Sequence, residues 1–459
     1  MKTIKKNKIP SPVKFNYESG DSSKKRRNPS TRLKSVDSML TRDKRNRLQA
    51  NTRDLTQNFA LAGWAVRRHL DYISQFDLQA NTGDVGLDRD IESMMEWYQR
   101  PQNCDVSRRH SFASIVRMCE ERRTIDGDVF LVKMSSGHLQ VIESDRVRDP
   151  DQISPENQGK IVHGVKVSPS GMLKSISVHS RDDRRGYEFE RSVRAENVFH
   201  FGYFDRFDQI RGVSPLAPAV ATFRDIAESS EYALQKMKVQ SLFALVFYRD
   251  SSDNFGDYEA SSGYEVDFGK NGGAVKLDLE PNDRAEFLES KSPANEFQSF
   301  LDHSIGMALK CLDIPISFAD ESRVNYSSAR SAWIHYERST RSKRRSLRDL
   351  LDRITYWRMK LFIQDGDLRL PRGMDLSAVR WEWVHSGTPW VDPKKEVEGD
   401  ILAIAAGLKT RSQVVKERHG KEFRDVAEQL ASEQRLLEEL GVDTALNKVL
   451  DLSGDDNEE

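Results

Sequence analysis

Three cysteines, Cys104, Cys119 and Cys311, are all that this chain of 459 residues carries. Odd in number and widely spaced, they supply neither a disulfide framework nor a metal-ligand pattern, and they fit folding in a reducing cytoplasm. Long apolar runs are missing too. Nothing approaches the ~18 consecutive apolar residues a membrane helix needs, and the basic N-terminal stretch lacks the apolar segment of a secretory signal. No Gly-x-x-x-x-Gly-Lys-Ser/Thr loop occurs, which argues against a P-loop ATPase. The glycine-rich Lys270-Asn-Gly-Gly273 has no Ser or Thr where one is required and reads as a turn. The histidines show no helical pair with a partnering glutamate, so His69, His200, His303 and His335 read as packing or surface residues. Neither a metal nor another cofactor is expected.

What the chain has is charge. Charged residues make up 31% of it and apolar residues 37%. The net charge of −1 hides a division: residues 1–50 hold fifteen Lys and Arg against four acids, giving +11 and leaving −12 for the rest. A basic arm on an acidic body is a solvated extension or an arm that touches DNA or an acidic partner through Lys24, Lys25, Arg26 and Arg27.

The apolar spacing predicts helices over residues 48–70, 91–97 and 112–123. Strands follow over 129–132, 139–142, 161–167, 176–179 and 198–201, separated by turns such as Ser168-Pro-Ser-Gly171. Helix returns over 216–239, then a β-prone run over 242–248, a polar insertion over 249–273 and a short strand over 275–279. Further helices are expected over 293–312 and 327–362, a strand over 379–384, and two C-terminal helices over 393–406 and 411–439. The class is α+β.

Arg211-Gly-Val-Ser-Pro-Leu-Ala-Pro-Ala-Val220 joins a strand to a helix. Gly212 permits a turn, Ser214 can cap, and Pro215 suits a first helical turn. Its wording resembles a signature of phage portal proteins of the lambda family. Four further segments resemble that family in order: Thr52-Arg-Asp-Leu-Thr-Gln-Asn58, Ile125-Asp-Gly-Asp-Val-Phe-Leu-Val132, Asp313-Ile-Pro-Ile316 with Asn325-Tyr-Ser-Ser-Ala-Arg330, and Trp383 with Pro389-Trp-Val-Asp-Pro-Lys-Lys-Glu396 before Gly407-Leu-Lys-Thr410. The resemblance spans residues 48–442.

It implies a portal-type fold that assembles as a ring. After a disordered arm (1–45) come an α/β wing (46–214), a first stem helix (215–242), a small clip (243–285) and a second stem helix (286–316). A channel loop (317–327), a long wing helix and strand (328–390), a helical crown (391–450) and an acidic tail (451–459) complete the chain. The implied function is a structural one. A dodecameric ring at one capsid vertex of the virion, assembled in the host cytoplasm, would pass double-stranded DNA irrespective of sequence. It would dock the large terminase subunit, the major capsid protein and a head-completion connector. Asp320, Glu321, Arg323, Asn325 and Tyr326 would line the channel. Arg338, Arg341, Lys343, Arg344, Arg345 and Arg348 would meet DNA or a neighbouring subunit, or else be solvated and paired locally with Asp349 and Asp352.

The rival reading is a metal-dependent nuclease. Asp126, Asp128 and Glu143, with Lys133 nearby, are its strongest candidates, since such a site needs carboxylates converging on a cation. A tight Asp-Gly-Asp turn opening a strand explains the same residues. A third reading makes the basic arm the active part of a DNA-binding adaptor.

Overall fold

The computed structural model describes residues 34–150, 161–182, 186–242, 245–249, 283–287, 295–320, 325–385 and 393–440. Its first half mixes helices and strands. Helices α1 (Val36–Met39), α2 (Arg42–Asn58) and α3 (Ala60–Ile73) lead to strand β1 (Phe76–Ala80). Helices α4 (Val85–Tyr98), α5 (Pro101–Cys104) and α6 (Phe112–Asp126) precede β2 (Asp128–Lys133) and β3 (Leu139–Glu143). Then come β4 (Ile161–Val162), β5 (Val165–Val167), β6 (Leu173–Asp182), β7 (Gly186–Arg194) and β8 (Val198–Gly202).

The second half is mainly helical. It holds α7 (Val220–Leu242), the pair β9 (Leu245–Arg249) and β10 (Asp283–Phe287), then α8 (Asn295–Leu309) and the 40-residue α9 (Tyr326–Asp365). Strand β11 (Trp381–His385) and helices α10 (Pro393–Ala405), α11 (Arg411–His419) and α12 (Phe423–Glu439) end the described chain.

The sheets are antiparallel and small: β3-β2-β8, β4-β5-β6-β7, β1-β11 and β9-β10. Central β2 explains its own sequence. Its apolar run Val129-Phe-Leu-Val132 is buried throughout, because β3 and β8 flank it and helices cover it. The largest core gathers Ile91, Met95, Phe112, Cys119, Leu131, Leu351, Ile354 and Trp383, so the C-terminal half of α9 is packed into the α/β part.

Local chemistry sets the helix ends. Ser111 caps α6, and Gly127 at φ 98 ends it. The Asn325 side chain caps α9 by accepting from the Ser328 amide, and Gly366 at φ 83 closes it. Glycine tolerates these positive dihedrals at little cost.

Several expectations from sequence need correction. The helix expected over 48–70 is two helices, parted at Phe59, whose extended ψ of 110 turns α3 back on α2. Gly63 lets them approach, for a Cβ there would meet the Thr56 carbonyl at 2.8 Å. The helix expected over 411–439 breaks at left-handed Gly420. The disordered arm does not extend to residue 45: described structure begins at Lys34, and Arg45 is buried inside α2. Its cause is a charge partner, given below. Strands β1 and β7 were not expected at all. The strand expected over 275–279 and the insertion expected over 249–273, apart from Arg249 at the end of β9, lie outside the described residues.

Candidate functional site

Asp128 opens β2 and is fully buried. A buried carboxylate is costly unless it is paired and hydrogen-bonded, and here five groups converge on it. Arg211 grips it with Nε 2.7 Å from Oδ2 and Nη2 3.0 Å from Oδ1. Arg45 Nη2 lies 3.1 Å from Oδ1, and the Gly212 amide donates to Oδ2 at 2.9 Å. His200 Nε2 stands 3.2 Å away, and the Ser144 hydroxyl donates from the other side. Burial alone would raise this carboxyl, but Arg211 and Arg45 hold it well below its ordinary value. The same burial, helped by the Arg211 charge, brings Arg45 down to about 10.

Arg211 has donors to spare and uses them. It bonds the carbonyls of Val147 and Ser144 at 3.0 Å and that of His163. Its guanidinium lies 5.0 Å from the Phe130 ring, which stacks on His200. Asp37 of α1 accepts from the Ile210 and Arg211 amides at 2.8 and 3.2 Å, straps the segment from outside and accounts for the early start of structure.

A second ion cluster adjoins the first. Arg53 of α2 forks onto Asp126 at 2.7 and 2.8 Å and reaches Asp145 at 2.7 Å and Glu143 at 3.3 Å. Against the effect of burial, the Tyr187 hydroxyl and Arg53 keep Asp145 lowered. Gln49 ties the two clusters, donating to the Asp126 carbonyl at 3.1 Å and to Ser144 Oγ at 2.8 Å.

The backbones meet as closely as the side chains. A Cβ on Gly212 would sit 2.1 Å from the Gly127 carbonyl oxygen, and one on Gly127 would sit 2.6 Å from that of Gly212. Both glycines are required by contact with each other. Ser214 does not cap α7 directly. Its hydroxyl donates to the Thr124 carbonyl at 2.6 Å and accepts from the Leu216 amide, holding a turn and a short 3-10 segment ahead of Val220. Three of the sequence segments singled out above, around Arg53, Gly127 and Gly212, are therefore parts of one buried joint.

The nuclease candidates are bound up in this joint. Asp126, Asp128 and Glu143 all face arginines, and Lys133 bonds the Glu196 carbonyl. Among the described residues no group of His, Cys, Asp and Glu is arranged to hold a metal ion.

A third polar cluster lies between α3, α6 and the end of β8. Glu120 is fully buried, with His69 Nε2 at 3.2 Å, Arg123 at 2.9 Å and the Tyr203 hydroxyl at 3.3 Å. Burial lowers His69 and the part-buried His200, so both stay neutral at pH 7.

On α9 the six basic residues separate into two groups. Arg344 forks onto Glu337 at 2.6 and 3.1 Å and donates to the Tyr72 carbonyl at 2.7 Å. Lys343 reaches Asp313 and the Leu312 carbonyl, both at 2.8 Å, and Arg348 approaches Glu382 at 3.5 Å. The partners are Glu337, Asp313 and Glu382. They are not Asp349 and Asp352, which accept from Arg353 through the Asp349 carbonyl and from Trp381. Arg338, Arg341 and Arg345 recur at i, i+3 and i+7 on one exposed stripe. Of these, Arg341 has a marginal pair, Glu337 at 4.0 Å; the other two have no ion pair among the described residues.

A sequence signature decides what this arrangement belongs to. The family described as phage portal protein, lambda family, matches residues 22–344. The chain belongs to the lambda family of phage portal proteins. A probable portal protein of Halomonas phage phiHAP-1 is 24% identical over 401 residues, covering 81% of this chain and 75% of that one. Solved structures of the neck of a gene transfer agent particle, empty with C6 symmetry and native with C12 symmetry, align at 14% identity and a TM-score of 0.47. They cover 80% of this chain and 92% of theirs.

Of the expected channel residues, Asp320 is half-buried, and Asn325 is engaged as the α9 cap. Tyr326 begins the helix. Glu321 and Arg323, the arm residues Lys24, Lys25, Arg26 and Arg27, and the acidic tail lie outside the described residues. Sequence reasoning missed Arg45, Arg211 and Ser144 as partners of Asp128. The one available signal was an arginine immediately before the Gly-Val-Ser-Pro run.

Proposed function

We propose that the chain acts as a structural, non-enzymatic subunit of a portal ring in a virion. The ring would form the channel at one capsid vertex for entry and exit of double-stranded DNA, and would dock terminase and a tail connector. The match to the portal family over residues 22–344 carries this reading. In it, 46–214 form the wing, α7 and α8 the two stem helices, β9 and β10 part of the clip, and α10 to α12 the crown. The loop 317–327 borders the channel. The family likeness supports twelve copies, and partners in the major capsid protein and a head-completion connector.

A translocating duplex must be touched without being held. Contacts to phosphates ignore sequence, and duplex DNA presents about one negative charge per 1.7 Å. A loop mixing Asp320 and Glu321 with Arg323 and Asn325 would repel as well as attract, and symmetry would repeat each side chain around the axis. Arg323 supplies the cationic collar in this scheme. Arg338, Arg341 and Arg345 form an exposed cationic surface suited to DNA or a neighbouring subunit.

Negative-stain microscopy with native mass measurement tests the reading. Closed rings with an axial hole are expected. Protein that stays monomeric at every concentration, and fails to complement packaging, would overturn it. Arg323→Glu is expected to leave rings intact and impair packaging.

A further inference from the structure

Helix α12 stands apart from the other long helices. It runs for 17 residues, mixes leucines with carboxylates, and has no buried residue. Leu430, Leu436 and Leu440 are more than half exposed. Within the chain it packs on α11, and Glu428 reaches Arg89 of α4 at 3.0 Å. Helices are held mainly by packing of an apolar face, so an amphipathic helix with its leucines in solvent is missing a neighbour.

The chain also has an unfilled receiving surface. A cleft of about 490 Å³ lies between α9 and α11, lined by Trp333, Ile334, Arg338 and Arg341 on one side and Lys416 and Arg418 on the other. Lys416 is neutralised by Glu382 at 2.6 Å, and Arg418 by Glu396 and Asp400 at 2.7 and 3.0 Å. What projects from the α9 side is therefore the Arg338 and Arg341 pair beside half-exposed Ile334. Glu337 and Glu417 line the same cleft but are themselves paired, with Arg344 at 2.6 Å and Lys409 at 2.7 Å, so what the cleft leaves open is the Arg338 and Arg341 pair beside apolar Trp333 and Ile334. A helix offering both carboxylates and leucines matches both parts, whereas a phosphate backbone would leave the apolar part uncovered.

The spacings agree. On α12, Gln429, Glu433 and Leu436 follow one stripe, which the C-cap residue Leu440 continues. On α9, Arg345, Arg341, Arg338 and Ile334 follow another, at the same intervals in the opposite direction. Laid antiparallel, Glu433 falls opposite Arg341 while Leu440 falls opposite Ile334, seven residues or about 10 Å away on both helices.

We infer that α12 of one copy lies antiparallel along the α9 stripe of the next copy, seated in the α9–α11 cleft. The two surfaces differ, so the contact is head-to-tail and repeats around a ring instead of closing a dimer. The inference rests on the ring reading above and names the residues of its subunit contact.

Paired cysteines test it in the full chain. Arg341→Cys with Glu433→Cys should give, on mild oxidation of rings, a ladder of disulfide-linked multimers that neither single variant gives. Rings whose double variant stays monomeric on a denaturing gel would overturn the pairing and leave the ring reading standing. Wild-type protein that forms no rings would overturn the ring reading and the pairing with it. Independently, Arg338→Glu with Arg341→Glu should lower ring yield at least tenfold with an unchanged circular dichroism spectrum, and adding Glu433→Arg should restore part of it. Normal rings that have lost only DNA retention would assign the stripe to DNA and overturn the contact.

Discussion

Arg45, Arg53 and Arg211 share their chemistry with Arg338, Arg341 and Arg345, yet the two sets have opposite roles. The first set is buried or part-buried, each guanidinium matched to carboxylates inside one shared network. Its charge is consumed by the fold. The second set stands on the exposed face of α9 and has at most a marginal pair. Its charge remains available to another molecule. A count of arginines, or their net charge, distinguishes nothing here; the difference lies in what surrounds each one.

The sharpest way to break the comparison is to remove the buried partner. Asp128→Ala leaves Arg45 and Arg211 buried without a counter-charge and should cost about 3–5 kcal/mol. Loss of soluble protein, or a collapsed urea midpoint, is the expected outcome. A variant as stable as wild type would show that the joint is not the centre of the fold.

Next comes the backbone contact. Gly212→Ala puts a methyl group 2.1 Å from the Gly127 oxygen, so two segments must part. A loss of ~1–3 kcal/mol is expected from overpacking of this kind, read from the same denaturation curve.

Acid should weaken the buried set in two stages. His69 and His200 have folded values below their ordinary 6.5, so the unfolded chain takes up protons first. Stability should therefore fall as pH drops below about 6.5. Asp128, Asp145 and Glu120 are lowered carboxyls; their contribution is present above about pH 4 and lost below it. The melting midpoint between pH 7.5 and 5.5 reads the first stage, and a variant carrying His69→Gln and His200→Gln should flatten it.

A smaller effect is expected at the cap that starts α9. Asn325→Ala removes the acceptor for the Ser328 amide and should cost about 1 kcal/mol. The smallest stability effect belongs to the exposed set. Reversing Arg338, Arg341 and Arg345 together should leave the thermal midpoint of the subunit unchanged while altering assembly.

Much of this was legible in the sequence, though unevenly. The α+β class, the long helix over 327–362 and the strands around Val129 and Val198 follow from periodicity and turn residues. Strand β7 escaped because Arg191 stands where the Tyr187, Phe189, Val193 alternation would place an apolar residue, at a register shift against β6. The break at Phe59 has no glycine or proline to announce it, whereas the one before α12 falls at Gly420, a glycine that the single helix expected over 411–439 passed over. Gly212, Asp126 and Asp128 each stood out singly as turn residues. What no single sequence reveals is that Asp128 and Arg211, 83 residues apart, are partners. That pairing depends on the three-dimensional return of the chain through β8.

The contact of Gly127 with Gly212 also bears on how the subunit transmits force. Arg211 lies a few residues before α7 and grips, through one guanidinium, the start of β2 and carbonyls at Ser144, Val147 and His163. Arg45 ties the same point to α2. With no room between the two backbones for so much as a methyl group, this junction has no slack. A push along α7 arrives at the sheet as displacement of the whole α/β block, and bending has to be taken up elsewhere.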